Sequence, residues 1–315
     1  MNFDKHKSKK ILITGGHGFV GKNLVGQLKE LGANNLLVPS RSDVNLTIEN
    51  EVKDYFKKNK PEIVIHLAGK VGGIGINKAK PADFFYDNIM MGTLVTHYSY
   101  LNGAEKLVSL AAGCGYPKFL KVPYTEEDFW KDLPKENSIG YSMAKKNLII
   151  QSWTYREQFG FNSTVLLPAN LYGPHDNFNL ETSHVVPALI RKFLHAKDNN
   201  SPTVIVWGTG IASREFLYVG DTVQAIIDSI DSTKSGPFNL GTGLETTIKV
   251  LVETISSLVG YEGEIVWDSS KPDGQPRRFY DMSKFQEEFG YIPDTELNNG
   301  LQATIEWFLK NYDNK

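Results

Sequence analysis

Lys10-Ile11-Leu12-Ile13-Thr14-Gly15-Gly16-His17-Gly18-Phe19-Val20-Gly21 joins an apolar run to glycines spaced G-x-x-G-x-x-G and to an apolar-periodic stretch that continues to Leu31. A short, continuous apolar run that stops at glycine predicts a strand buried on both faces. The helical spacing from Phe19 ends before Gly32, a residue suited to the end of a helix. Strand, glycine turn and helix, in that order, are the context in which such glycines approach a dinucleotide; without them the triplet marks only a tight turn. Gly15 permits the turn, Gly18 lets the backbone near a pyrophosphate, and Gly21 lets helix and strand pack closely. The helix N-terminus then favours the negative charge.

Outward from this stretch the alternation repeats. Strands are predicted at Leu36 to Val38, Ile63 to Leu67, Lys106 to Leu110 and Thr164 to Leu167. Helices are predicted at Ile48 to Lys58, Pro81 to Leu101 and Ser138 to Phe159, the second with proline in its first turn. This is the βαβ pattern of an α/β, doubly wound parallel sheet of the Rossmann type. Past Pro168 the segments shorten and become richer in Pro, Gly and Asn. The expected division is a dinucleotide-binding domain over residues 1–172 and 214–244, and a smaller α/β substrate lobe over 173–213 and 245–315, with a cleft between them. Asp221 opens an apolar-periodic stretch and is expected to cap it.

The 315 residues suit two such lobes. A net charge of −2 gives no electrostatic reason to expect nucleic acid or an anionic membrane as partner. With Cys114 the only cysteine, an intramolecular disulfide is impossible and no metal site is expected. A lone cysteine, a polar start at Met1 to Lys10 and the absence of any membrane-length apolar run point to the cytoplasm.

The second strand runs into Val38-Pro39-Ser40-Arg41, where no carboxylate awaits a ribose hydroxyl. Arg41 suits a 2′-phosphate, which favours NADP(H); Asp43, two residues on, leaves NAD open. Phe19 and Val20 after the loop, Ala68 and Gly69 after the third strand, and Pro168, Asn170 and Leu171 after the fifth are also expected against the cofactor, with His184. Tyr141 and Lys145, four apart on a predicted helix, share a face. A hydride arriving at a ketone leaves charge on oxygen; a tyrosine can protonate it, and a lysine lowers the phenol's pKa and holds the ribose. Outside this setting, the two would be an ordinary surface pair.

Further stretches carry a family resemblance. They are Val71-Gly72-Gly73-Ile74, Pro81-Ala82-Asp83-Phe84, Cys114-Gly115-Tyr116-Pro117-Lys118, and the run from Asn170 through Tyr172-Gly173-Pro174 to Asp176-Asn177-Phe178. Ser183-His184-Val185-Val186-Pro187, Arg214-Glu215-Phe216-Leu217 and Ser270-Lys271-Pro272-Asp273-Gly274 complete the set. Together they resemble the GDP-L-fucose synthases, extended short-chain dehydrogenases, over nearly the whole chain. The resemblance implies a dimeric enzyme that reduces carbon 4 of a GDP-linked 4-keto sugar with NADPH after epimerising carbons 3 and 5. It places the proton donor at Tyr141, its lysine at Lys145, and the epimerase acid/base pair at Cys114 and His184. Read without it, Cys114 is an ordinary small buried residue and His184 an ordinary capping or core histidine.

The resemblance also places Lys192, Arg214 and Lys271 near the diphosphate. Asn170, beside Pro168 at the end of the fifth strand, is placed to bond the sugar or the diphosphate, and Trp207, before Gly208, to line the nucleoside pocket, although an aromatic there is more often core. The sequence departs from the family pattern at two points. Ala112 stands where a serine hydrogen-bonds the reacting oxygen, and His17 stands where some relatives carry arginine. Ala112 leaves the epimerase half open. Gly113 and Gly115 suggest room for a bulkier sugar, such as a GDP-linked heptose. A full epimerase–reductase, an epimerase or dehydratase that retains NAD, and a catalytically idle dinucleotide-binding protein remain alternatives. The Met90-Met91 face of the helix from Pro81 reads equally as dimer interface and as core.

Overall fold

The computed structural model describes residues 3–179 and 182–312. β1 (Ile11–Thr14) leads into α1 (Phe19–Glu30), followed by β2 (Leu36–Leu37), α2 (Glu49–Asn59) and β3 (Ile63–His66). After β3 come a short α3 (Ile74–Ala79), which periodicity did not indicate, then α4 (Pro81–Leu101), β4 (Lys106–Leu110), α5 (Ile139–Phe159) and β5 (Ser163–Pro168). Gly160, at φ 66°, closes α5 in the left-handed conformation that glycine adopts without strain.

These strands form one parallel sheet, in the order β2-β1-β3-β4-β5, and a later strand extends it at β5. The strands are buried on both faces, and alternate residues serve different cores. Ile11, Ile13, Ile63 and Ile65 face one cluster, with Leu24 and Leu28 of α1. Leu12 and Val64 face another, with Val52, Phe56, Leu94 and Val95 of α2 and α4. Strand order reverses between β1 and β3, so their carboxyl ends open the crevice where such sheets take ligands.

Beyond β5, β6 (Asn170–Tyr172) precedes α6 (Val185–Asp198), β7 (Thr203–Trp207), β8 (Ser213–Arg214), β9 (Phe216–Tyr218) and α7 (Val219–Asp228). β10 (Phe238–Leu240) is the strand that joins the central sheet beside β5. β11 (Thr246–Thr247), α8 (Ile248–Val259), β12 (Glu264–Asp268), α9 (Ser283–Phe289) and α10 (Leu297–Asn311) complete the chain. A separate core gathers Ile190 and Phe193 of α6, Val204 and Val206 of β7, Leu251 and Ile255 of α8, and Leu301 and Ile305 of α10. In this smaller lobe β7 and β12 pair in parallel.

Within the last 71 residues (245–315), Tyr280, Met282 and Phe285 belong to the large lobe's core. The chain therefore visits the large lobe once more than the expected division has it, and α10 returns it to the smaller lobe. Asp221 is not a cap: Tyr218 holds that position, and the Asp221 carboxylate accepts bonds from Thr295 Oγ1 (2.7 Å) and N (3.3 Å). Among the described residues, no helix is long and apolar enough to cross a membrane.

Candidate active site

The glycine loop is a cradle with no room for side chains. Gly15 has φ 74°, and a Cβ there would lie 2.6 Å from the Ala68 nitrogen at the end of β3. A Cβ at Gly21 would strike the Gly15 carbonyl and lie 2.5 Å from Gly16 Cα, so glycine is what lets α1 sit against β1. Gly18 is the N-cap of α1 and offers no side-chain cap, which leaves the first helical N–H groups, those of Phe19 and Val20 among them, for an anion.

At the far end of the cradle Arg41 is exposed, with no hydrogen bond or ion pair among the described residues. Asp43 is committed elsewhere: its carboxylate accepts from Ser40 N (2.8 Å) and Ser40 Oγ (2.7 Å), and these bonds hold it below the usual carboxylate range. His17 bonds the Val38 carbonyl (3.1 Å), which fixes its ring beside the same loop. The unpaired guanidinium, the occupied carboxylate and the glycine cradle together fit a dinucleotide carrying a 2′-phosphate.

Tyr141 and Lys145 lie on the first turns of α5, against the end of β4. Lys145 Nζ donates to the Leu110 carbonyl (3.1 Å) and lies 6.0 Å from the Tyr141 ring centre. A Cβ at Gly69 would come within 3.4 Å of Nζ, so the residue after Ala68 leaves the ammonium its place. Burial brings the Lys145 pKa down to about 8. Burial, and then Cys114, push the Tyr141 phenol up. The lowering expected from the lysine is not found, and Tyr141 is held as an acid. Phe84 packs edge-on against its ring, 6.4 Å between centres. Behind Lys145, His66 is fully buried, bonds Thr14 Oγ1 (2.7 Å) and is kept neutral by burial, its pKa down to about 3.

Cys114 opens onto a pocket of about 30 Å³ shared with Tyr116, Tyr124, Lys135, Ser138, Gln275 and Arg278. Burial raises its thiol pKa, opposed by a hydrogen bond from Ser142 and by the charges of Arg278 and Lys145. Gly113 and Gly115 do not leave free space, contrary to the expectation. A Cβ on Gly113 would land on the Tyr280 hydroxyl and 2.5 Å from Arg278 Nη2, and one on Gly115 would enter the Phe129 ring. Ala112, extended at φ −149°, offers no hydroxyl.

His184 is at the N-terminus of α6, exposed, with neighbouring protein lowering its pKa. Its side chain makes no hydrogen bond among the described residues, to Cys114, Tyr141 or Lys145 included.

On the substrate side, Arg214 donates to the carbonyls of Ser213 (2.6 Å) and Gln275 (2.5 Å). Lys135 is depressed first by burial and then by the charges of Arg278, Arg214 and Lys118, so these cations gather at one end of the cleft. No carboxylate hydrogen-bonds Arg214, Arg278 or Lys135 among the described residues, and cations left unpaired and partly desolvated suit phosphate. Trp207 is not core: it is 68% exposed at the end of β7, with Lys271 Nζ 5.7 Å from its ring centre. Lys192 donates to the carbonyl of Ile205, two residues before Trp207 on β7 (2.7 Å). Asn170 Nδ2 is bound to the Glu215 carbonyl (2.8 Å), beside Pro168 and Leu171.

Sequence reasoning missed Arg278, Tyr280 and Glu215. Glu215 is 1% exposed, and its carboxylate accepts from the backbone N–H groups of Thr242 (2.6 Å), Gly243 (2.7 Å) and Tyr280 (2.9 Å). It ties the strand bearing Arg214 to the segment bearing Arg278. The doubled arginine after Pro276 was the one available signal.

A glycine-walled cradle at a switch point, opening on a buried Tyr–Lys pair, defines a short-chain dehydrogenase/reductase. The chain belongs to the NAD dependent epimerase/dehydratase family, whose profile matches residues 11–241, and within it to the GDP-L-fucose synthase group. It is 41% identical to GDP-L-fucose synthase 1 of Arabidopsis thaliana, over 98% of this chain and 96% of that protein. Among solved structures it is similar to a GDP-D-glycero-L-gluco-heptose synthase from Campylobacter jejuni, determined in the presence of NADPH (TM-score 0.91, 30% identity, 96% of this chain and 99% of that one). It is equally similar to a GDP-mannoheptose C4 reductase from the same organism with NADP bound (TM-score 0.89, 32% identity, 96% and 99%).

Proposed function

We propose that the protein reduces the 4-keto group of a GDP-linked sugar, using NADPH. The observation that carries this is Tyr141, held protonated and packed beside Lys145 at the mouth of the glycine cradle. When bound, NADPH supplies the hydride. Tyr141 then gives its proton to the oxygen that becomes a hydroxyl, and the Lys145 ammonium steadies the charge left on the phenol. Gly15, Gly18 and Gly21 admit the pyrophosphate to the start of α1, and Arg41 meets the 2′-phosphate.

At the other end, Arg214 and Arg278 hold the diphosphate, and Trp207 with Lys271 offers an exposed ring and a cation to the nucleoside. Lys192 and Asn170 each give one N–H to a backbone carbonyl and, like Arg214, keep further donors for the substrate. The named relatives are synthases of GDP-L-fucose and of a GDP-linked heptose and a C4 reductase of a GDP-linked heptose, which supports the nucleotide and carbon 4 more strongly than any one sugar.

Full 3,5-epimerisation before reduction is the second reading. It is favoured by the Cys114 thiol opening on the same pocket as Arg278. His184 would be its partner, reaching the sugar from the start of α6. A homodimer and a cytoplasmic location belong to the proposal too. The first is supported by Phe85 and Tyr86 on α4 and Ile150 and Trp153 on α5, all exposed apolar groups on two helices that pack together; light scattering would test it. The second is supported by the single cysteine.

The test is NADPH oxidation with GDP-4-keto-6-deoxymannose and with a GDP-4-keto-heptose, side by side, for the wild type and Tyr141→Phe. Oxidation with either sugar, abolished in the variant, is the expected result. Oxidation with neither, or oxidation indifferent to Tyr141, would overturn the proposal.

A further inference from the structure

Serine and threonine hydroxyls inside helices usually bond back to the carbonyl one turn earlier. This protein does so repeatedly: Ser99 bonds Val95 O (2.6 Å), Thr154 bonds Ile150 O (3.0 Å), Thr254 bonds Val250 O (2.8 Å) and Thr304 bonds Gly300 O (2.6 Å). Ser142, in the first turn of α5, departs from the pattern, as do Ser152, bonded to Ser163, and Ser256, bonded to the Tyr261 carbonyl; of the three, Ser142 alone meets a thiol. Its hydroxyl lies 3.2 Å from Cys114 Sγ and 3.1 Å from the Cys114 carbonyl, with Ser138 Oγ at 3.4 Å. Ser142 has no exposed surface, while Cys114 faces the pocket that holds Arg278. The thiol therefore has the pocket on one side and a single hydroxyl on the other.

We propose that Ser142 is a positioning residue for Cys114, fixing the thiol toward the pocket and serving it in both protonation states. This rests on the reading of Cys114 as an epimerase acid/base. As a thiol, Cys114 donates S–H to Ser142 Oγ while the serine proton goes to the Cys114 carbonyl. As a thiolate, it accepts the serine proton, which needs only to rotate. When Cys114 takes a proton from the carbon beside the ketone, the S–H bond forms as that C–H bond breaks, the electron pair stays on the sugar as an enolate, and the serine proton turns back to the carbonyl.

No proton is passed by Ser142 itself. Its contribution is to the thiolate, because a hydrogen bond to an ionised acceptor is stronger than one to a neutral group. Ser142 does not replace the hydroxyl missing at Ala112, since its bonds are to Cys114.

Cys114 is the only cysteine, so alkylation reads this thiol alone. The experiment is the pH profile of iodoacetamide modification, followed by mass, on the NADP⁺-loaded enzyme. The wild type is compared with Ser142→Ala and Ser142→Thr. Alanine suits a helix, and NADPH affinity reports whether the fold is intact. S142A is expected to react about tenfold more slowly at neutral pH, with its profile moved to higher pH, as loss of one charge-assisted bond implies. S142T is expected to retain the wild-type profile.

Superimposable wild-type and S142A profiles would overturn the proposal, as would an S142T profile that follows S142A. Deuterium uptake into a GDP-4-keto sugar, measured alongside, separates this from failure of the underlying reading. Uptake by the wild type and about tenfold less by S142A supports both. No uptake by the wild type would remove the acid/base role on which the proposal rests.

Discussion

Replacing Arg41 by alanine tests how the protein tells NADPH from NADH. Arg41 is exposed and makes no bond to the described residues, so its removal leaves no buried partner stranded and creates no cavity. What is lost is the interaction with the 2′-phosphate. Charge-assisted bonds contribute about 1.5–3 kcal/mol, and an exposed, salt-screened pair falls at or below the low end. A loss of about 1–1.5 kcal/mol corresponds to a roughly five- to twelvefold weaker grip. Asp43 does not offset this, because Ser40 holds its carboxylate through both backbone and side chain. Steady-state kinetics with each cofactor and saturating sugar should show the NADPH KM of R41A raised by that factor. The NADH KM and both kcat values should be unchanged, and the salt dependence of the NADPH KM should shrink. Equal changes for the two cofactors, or none, would refute the assignment of Arg41.

Tyr141→Phe is expected to lower kcat by about 10²–10⁴-fold, the usual worth of a positioned proton donor, with NADPH affinity retained; fluorescence titration of NADPH checks the second half. Gly21→Ala sets a methyl against the Gly15 carbonyl and Gly16 Cα, neither of which can swing aside. A loss of roughly 1–3 kcal/mol on urea unfolding, with weakened NADPH binding, is expected. Glu215, buried and pushed up to about 7 from 4.5, contributes stability that is present below pH 4.5 and lost as pH rises through about 7. Urea midpoints across that window should fall for the wild type and stay level for Glu215→Gln. The amide also presents an N–H₂ to one of the backbone donors, so E215Q should raise the GDP-sugar KM by loosening the Tyr280–Arg278 segment.

The large lobe was legible because parallel strands buried on both faces read as unbroken apolar runs: Ile11 to Thr14 and Ile63 to His66 leave little choice of structure. Tyr141 and Lys145 were legible because a helix fixes what lies four residues apart. Arg278 and Tyr280 were not, because nothing local places them; they reach Cys114 through the hold of Glu215 on the Tyr280 backbone, 65 residues away in the chain. The misread glycines show the same limit. Gly113 and Gly115 look like open space in sequence, yet Tyr280, Arg278 and Phe129 fill it from distant segments. For Trp207 the structure removes the core alternative: β7 alternates exposed and buried, and its last residue falls on the outer face.

The most direct measurement is NADPH oxidation with GDP-4-keto-6-deoxymannose in deuterated water, followed by mass analysis of the product. The proposed chemistry requires that cofactor be consumed and that the product carry the hydride at carbon 4. Deuterium at two further carbons would establish the epimerase half despite Ala112, and its absence would make this a plain 4-reductase. If the cofactor stayed reduced with this sugar and with its heptose counterparts, the reductase assignment would be contradicted.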